Sequence, residues 1–307
     1  MANGRRWGVI LAGGDGTRLR SLTRQITGDE RPKQFCSILG SETLLDQTRR
    51  RVALAIPEEQ TLIVVTKTHA RFYSTQLRDV PGERFLIQPA NKGTTPAILL
   101  SLLRLAKADL NSKVAFFPSD HYFADSEAFM AHIETAFSAA ELEPRTVVLL
   151  GIAPTGPEAG YGWIEPDASL LGDLPGSVSR VRRFWEKPAA DVAEELMKKG
   201  CLWNSFVMVG RVSAFLALIH QALPELYRTF AASQRWFDTA HEEAALRALY
   251  RRIPPSNFSH DVLATHPRTL SVQRVGDVGW SDWGEPQRVL STLALLGVKA
   301  AWEAAAG

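Results

Sequence analysis

Five short apolar runs punctuate the first half of the chain, at 9–11, 61–66, 84–88, 114–117 and 146–152. They are almost unbroken rather than alternating, so they read as strands buried on both faces, as in a parallel sheet covered by helices. The stretches between them, 42–55, 69–78, 95–108 and 126–140, carry apolar residues at helical spacing. Such alternation builds right-handed βαβ units. The expected fold is therefore α/β, a doubly wound and mostly parallel sheet whose ligands bind beyond the carboxyl ends of its strands. The later sequence predicts small mixed insertions. These are loops over 156–175 around a strand at 161–165, strands at 177–185, 201–209 and 269–275, and helices at 211–223, 242–252 and 286–305. No repeat or linker divides the 307 residues, a length that one α/β domain can fill.

Each candidate motif follows one of these runs. The first run continues through Ala12 into Gly13-Gly14-Asp15-Gly16-Thr17-Arg18. Three glycines in four residues let the backbone approach a ligand closely and gather successive N–H groups into a concavity that suits phosphate oxygens. Arg18 adds a planar cationic fork, and Lys33, beside Pro32, a compact charge. Together these describe a triphosphate site, although the glycines alone also fit a plain strand-to-helix turn. The P-loop pattern is absent, since no Lys-Ser or Lys-Thr follows the glycines. The dinucleotide fingerprint fails too, with Leu19 at its third glycine position.

The fourth run ends in Pro118-Ser119-Asp120-His121. An Asp there can hold Mg²⁺ or cap the next turn. Glu186-Lys187-Pro188 closes the 177–185 strand with an acid that accepts from hydroxyls and a base that meets a phosphate, or with a solvated strand end. Gln88-Pro89-Ala90-Asn91 follows the third run. Its side-chain amides can read a base edge, whereas Thr94 and Thr95 fit the cap of the next helix. Ser259, in Asn257-Phe258-Ser259-His260-Asp261, reads as a helix N-cap. The loop Gly279-Trp280-Ser281-Asp282-Trp283-Gly284 reads as a packed aromatic turn.

The string G-G-x-G-T-R-L followed by R-P-K-Q resembles the signature of the sugar-phosphate nucleotidyltransferases, the nucleotide-sugar pyrophosphorylases. Its R-P-K-Q-F form is most similar to the mannose-1-phosphate guanylyltransferase branch. Five further segments, around Asn91, Asp120, Gly162, Glu186 to Asn204 and Asp282, follow in the family's order. The resemblance implies a Rossmann-like nucleotidyltransferase fold with a nucleotide-binding half at about 1–150, a sugar-phosphate half at about 151–290 and a C-terminal helix. It implies that Leu11, Ala12, Gly13, Gly14, Gly16 and Thr17 line the nucleotide phosphates, with Gln88, Asn91 and Thr94 near the nucleoside. Arg18, Lys33 and Asp120 take the catalytic places, and Asp120 and Asp282 hold Mg²⁺. Gly162, Glu186, Lys187 and Asn204 receive the sugar phosphate. The implied reaction joins GTP to mannose 1-phosphate, releasing pyrophosphate. Glucose 1-phosphate, another hexose 1-phosphate or another nucleoside triphosphate is the alternative, and a sensor that keeps the pocket without turnover is a further one.

The chain departs from that branch at three places. Asp15 stands where Ser is usual, Arg20 where Trp is usual, and Phe206 where a Gly follows W-N-S. Asp15 beside a triphosphate has to point away, pair with a cation or contact the metal. A net charge of +2 gives no footprint for nucleic acid or membrane, so the expected partners are small-molecule substrates. Two distant cysteines form no disulfide framework, and no signal-peptide core or membrane-length apolar run is present. A cytoplasmic protein is expected, as a minimal catalytic unit with no appended repeat or isomerase domain. Leu290, Leu293 and Leu296 can pack inside the domain or against a second copy in a homodimer.

Overall fold

Nine strands form a single sheet in the computed structural model, which describes residues 5–167, 176–298 and 302. They are β1 (Arg6–Leu11), β2 (Thr61–Thr66), β3 (Phe85–Gln88), β4 (Lys113–Pro118), β5 (Val147–Ile152), β6 (Gly162–Pro166), β7 (Val178–Glu186), β8 (Leu202–Arg211) and β9 (Leu270–Val275). Their spatial order is β3-β2-β1-β4-β8-β5-β9-β7-β6, and β6 also pairs with β8. Pairing is parallel among β1 to β4, where the apolar runs are continuous, and between β5 and β9, the latter an alternating segment LSVQRV. The second half is antiparallel: β8 is inserted between β4 and β5, and β6 and β7 form a hairpin-like pair. The sheet is thus mixed, with its parallel character concentrated where the sequence predicts it. Because β8 opposes both neighbours, β1 to β5 and β9 all run one way and end at one edge. That edge carries the site.

Ten helices among the described residues accompany the strands: α1 (Arg20–Thr27), α2 (Leu44–Ala53), α3 (Ala70–Gln76), α4 (Thr94–Ala108), α5 (Ser126–Leu142), α6 (Ala190–Lys198), α7 (Val212–Ala222), α8 (Pro224–Ser233), α9 (Glu242–Arg252) and α10 (Pro286–Leu295). Side-chain caps start two of them, as Thr43 accepts from the Asp46 amide and Asp125 from the Ala128 amide. Successive residues of the central strands enter different cores. Val9 and Val64 face α4 and α7, whereas Ile10 and Ile63 face α2 and α5. This is the double winding that two-sided burial requires. A third, smaller core joins α1 and α10 through Leu19, Leu22, Tyr122, Trp283, Val289 and Leu293.

Three helices, α1, α6 and α8, lie where periodicity predicts none. They are eight to ten residues long and bury only two or three side chains each, too few for a legible stripe. The helix expected over 286–305 is broken. Gly297 takes φ +63°, and the Gly297 and Val298 amides turn back to the Ala294 and Leu293 carbonyls. Beyond it Trp302 is helical, while 299–301 and 303–305, like 168–175 of the expected loop, lie outside the described residues. Leu293 is buried and Leu290 and Leu296 are exposed. Cys36 and Cys201 are free and buried. No described helix is long and apolar enough to cross a membrane.

Candidate active site

The glycine turn leaves β1 with its carbonyls already spoken for. Gln34 donates to the Ala12 and Gly14 carbonyls at 3.1 and 2.8 Å, and Thr66 to the Gly13 carbonyl at 2.9 Å. Gly16 has φ +58°, and a Cβ there would stand 3.2 Å from the Lys33 backbone nitrogen. At Gly13 a Cβ would meet Gln88 Nε2 at 2.7 Å and Thr66 Oγ1 at 2.8 Å. Gly16 therefore requires glycine for its conformation and Gly13 for space. Among the described residues no acceptor takes the amides of residues 13–17, so the loop offers its N–H side to an anion.

Asp15 pairs within the protein. Its Oδ1 lies 3.0 Å from His69 Nε2, and its Oδ2 accepts from Asn91 Nδ2 at 2.8 Å. The Asn91 carbonyl oxygen in turn accepts from the Gly93 amide. The carboxylate thus ties the glycine loop to the segments that follow β2 and β3. Burial depresses the His69 pKa below its ordinary 6.5, against the pull of Asp15. His69 is then neutral near pH 7, with its proton on Nε2 facing Asp15. The unfolded chain takes up that proton more readily than the fold as pH falls below about 6.5, so stability declines in that window. Denaturation midpoints measured from pH 7.5 to 5 should fall, and His69→Gln should flatten the decline. An unchanged slope in the variant would refute the assignment.

Lys33 sits on a 3-10 turn, Lys33–Phe35, and is 6% exposed. Its ammonium donates to the Asp282 and Trp283 carbonyls at 2.5 and 2.9 Å and lies 3.3 Å from Asp120 Oδ2. The loops that carry Asp120 and Asp282 are joined by a Tyr122–Ser281 bridge and by stacking of Tyr122 on Trp283. His121 accepts from Trp280 Nε1, and burial lowers its pKa to about 4. The Asp282 carboxylate is 15% exposed and heavily engaged. Oδ1 accepts from Tyr161 Oη at 3.0 Å, the Gly284 amide at 2.9 Å and Arg288 Nη1 at 2.9 Å. Burial opposes its charge, but His121, Lys33, Arg288 and the Gly284 amide outweigh that and hold its carboxyl below the ordinary range.

Gly162, Glu186 and Asn204 converge. Gly162 pairs with Glu186 in register, and a Cβ on Gly162 would lie 3.1 Å from Glu186 Oε2 and 3.3 Å from Asn204 Cβ. Burial raises the Glu186 pKa, while Lys187 and His260 pull it down. The Lys187 amide donates to the Tyr161 carbonyl, so Tyr161 links this cluster to Asp282. Among the described residues four that are not glycine take left-handed φ: Lys187 at 47°, Phe206 at 60°, Asp238 at 63° and Trp283 at 43°. Three of the four belong to this site. Such conformations cost roughly 1–2 kcal/mol each and persist where surroundings over-determine them, most often at functional sites.

Other expected positions are used differently. Gln88 is buried, its carbonyl oxygen accepting from Tyr250 Oη. Gln88 and Asn91 therefore both spend amide groups inside the protein. Thr94 and Thr95 are not caps: Gly93 holds the N-cap position of α4, Thr94 accepts from the Phe258 amide, and Thr95 meets Ser256 Oγ. Ser259 is no cap either, since it opens a π-helical turn, Ser259–Leu263, in which the His260 amide donates to Asn257 Oδ1 and the Asp261 carboxylate accepts from the Asn257 amide. Thr17 and Arg18 are exposed, with Arg18 reaching Glu285 at 3.8 Å. Leu11 accepts from the Ser119 amide, so β1 is fastened to the loop that carries Asp120. Gln34, Tyr161 and Arg288 escaped assignment from sequence. The first two stand inside recognised motifs, and Arg288 has no local signal.

A divalent cation of the magnesium kind takes hard oxygen ligands, one or two carboxylates completed by phosphates and water. Asp120 fits that need, with a part-exposed carboxylate met by Lys33 on one oxygen. Asp282 does not fit while Arg288 holds both its oxygens. Among the described residues no group of three or more His, Cys, Asp or Glu converges on a metal position, so substrate phosphates would have to complete the shell.

Residues 7–295 match the family model described as nucleotidyl transferase. Alginate biosynthesis protein AlgA of Pseudomonas fluorescens is 32% identical over 280 residues, 90% of this chain and 56% of that protein. The Escherichia coli protein named mannose-1-phosphate guanylyltransferase is 28% identical over 285 residues, 90% of this chain and 59% of its own length. A solved structure from Thermus thermophilus, described as a mannose-1-phosphate geranyltransferase, is 28% identical with a TM-score of 0.77, over 94% of this chain and 79% of that one. The chain spans little more than half the length of these curated relatives.

Proposed function

The chain belongs to the nucleotidyl transferase family, and within it we propose that it joins GTP to mannose 1-phosphate, giving GDP-mannose and pyrophosphate. The name mannose-1-phosphate guanylyltransferase, carried by the Escherichia coli relative at 28% identity, supports that pair of substrates. The observation that carries the reading is the bridge through Tyr161. It couples a cation-bearing edge of glycine loop, Lys33 and Asp120 to an acceptor cluster of Gly162, Glu186 and Asn204.

In this reading the sugar phosphate oxygen attacks the α-phosphorus in line and pyrophosphate leaves opposite. No nucleophilic side chain is needed; positioning and charge stabilisation supply the rate. The free amides of residues 13–17 and Arg18 receive the triphosphate. Lys33, held rigidly by two carbonyls, presents a preorganised charge where negative charge develops. Glu186 and Asn204 take sugar hydroxyls, and Lys187 takes the acceptor phosphate. Magnesium, which Asp120 would hold together with phosphate oxygens, would supply charge neutralisation.

The test is a matrix of four nucleoside triphosphates against mannose, glucose and galactose 1-phosphates, read by pyrophosphate release. GTP with mannose 1-phosphate should give the highest kcat/KM. A different best pair would reassign the substrates, and no release with any pair would overturn the enzymatic reading.

A further inference from the structure

Arg288, on α10, is the least expected member of the site. It is buried to the same degree as Asp282, with 15% of its side chain exposed. One guanidinium nitrogen reaches both Asp282 oxygens, at 2.9 and 3.1 Å, and the other reaches Glu158 Oε2 at 3.1 Å. The group lies 4.4 Å over the Tyr161 ring. Glu158 is itself fixed, accepting from the Gly160 amide through Oε1 and from Trp163 Nε1 through its carbonyl. A planar fork with two separate anchors can let go of one and keep the other.

Asp282 bears on more than its own charge. Its carbonyl and that of Trp283 hold the Lys33 ammonium, and Trp283 carries the left-handed backbone. Lys33 holds the Asp282 carbonyl and the Asp120 carboxylate with one ammonium, so an ion taken up at Asp120 lies next to the turn whose carboxylate a singly charged partner already holds.

We propose that Arg288 is a positioning residue that governs Asp282: it competes with a divalent cation for that carboxylate, and when displaced it stays tethered to Glu158. This rests on the reading of the site as one that handles phosphates with such an ion. The pairing explains how a buried carboxylate stays charged and ordered before the ion arrives. Two anchors make the exchange local, since releasing one arm of the guanidinium leaves the other in place.

The test measures cation binding without any substrate, on the full chain. Mn²⁺, a probe with the same preference for hard oxygen ligands, is titrated by calorimetry and by tryptophan fluorescence, to which Trp280 and Trp283 of the loop contribute. Arg288→Gln should bind Mn²⁺ about three- to tenfold more tightly than the unaltered protein. Adding Asp282→Asn should erase that gain. Equal or weaker binding by Arg288→Gln, with its melting temperature preserved, would overturn the proposal, as would a gain that survives Asp282→Asn. Should Arg288→Gln not fold, Arg288→Lys keeps the charge but loses the fork, and should shift the affinity in the same direction by less; no shift overturns the proposal. These titrations stand apart from pyrophosphate release, so failure of the substrate assignment and failure of the exchange are separate results.

Discussion

Lys33→Ala should lower the kcat of pyrophosphate release by about 10²–10³-fold, the scale seen when one preorganised charge donor is lost from a site shielded from water. The size follows from how the side chain is held. Its ammonium has three fixed partners, the Asp282 and Trp283 carbonyls and the Asp120 carboxylate, and almost no exposure to water. Neither neighbouring cation of the site replaces it. Arg18 is exposed and leans toward Glu285 at 3.8 Å, while Arg288 is committed to Asp282 and Glu158. An arginine at position 33 should not rescue activity, because a planar fork cannot occupy a compact site built for a point charge. If Lys33 acts on charge that develops during the reaction, KM for the nucleotide should change much less than kcat. Near-normal turnover in Lys33→Ala would remove Lys33 from the mechanism.

Asp282→Ala should show its largest effect on stability. Removing one member of a buried ion pair leaves the other uncompensated, which costs several kcal/mol. Arg288 keeps Glu158 as a partner, so a loss of about 3 kcal/mol is expected, at the lower end of that range. For a chain of this length the melting temperature should fall by on the order of 5–10 °C. The Tyr161 hydroxyl and the Gly284 amide also lose their acceptor. Asp282→Asn keeps an oxygen for both and should lose less. Turnover should fall alongside stability, because the Trp283 carbonyl that holds Lys33 depends on this turn. A melting temperature unchanged from the unaltered protein would show that the carboxylate organises nothing.

The parts of the site legible in sequence were those whose chemistry lies in consecutive residues. A strand, a glycine turn and a cation a short distance on are local features, and the structure joins Gly16 to the Lys33 turn directly. The grouping of Gly162, Glu186 and Asn204 was legible through motif order, and β6 and β7 bring Gly162 and Glu186 into register. Residues whose partners are remote were not legible. The sequence marks Asp15 as a charge needing an explanation, but its partner His69 is 54 positions away. Arg288 is one arginine on a short terminal helix, indistinguishable by spacing from a solvated one. Phe206 stands between these cases. Its departure from glycine is visible in sequence, whereas the left-handed backbone it adopts is visible only in the fold. The antiparallel insertion of β8 was not legible either, because an apolar run carries no mark of which strands will flank it.

That insertion sets a timetable for synthesis. β4 pairs with β8 from Lys113 with Arg211 to Phe116 with Met208, so one flank of β4 waits for a partner roughly 100 residues further along the chain. At ribosomal speeds of about 5–20 residues per second, that wait lasts about 5–20 s. β5 emerges during the interval and waits for the same strand. The glycine loop and Asp120 therefore leave the ribosome well before the strand that completes their sheet. The part of the sheet that carries the glycine loop is complete only when the strand bearing Asn204 closes it.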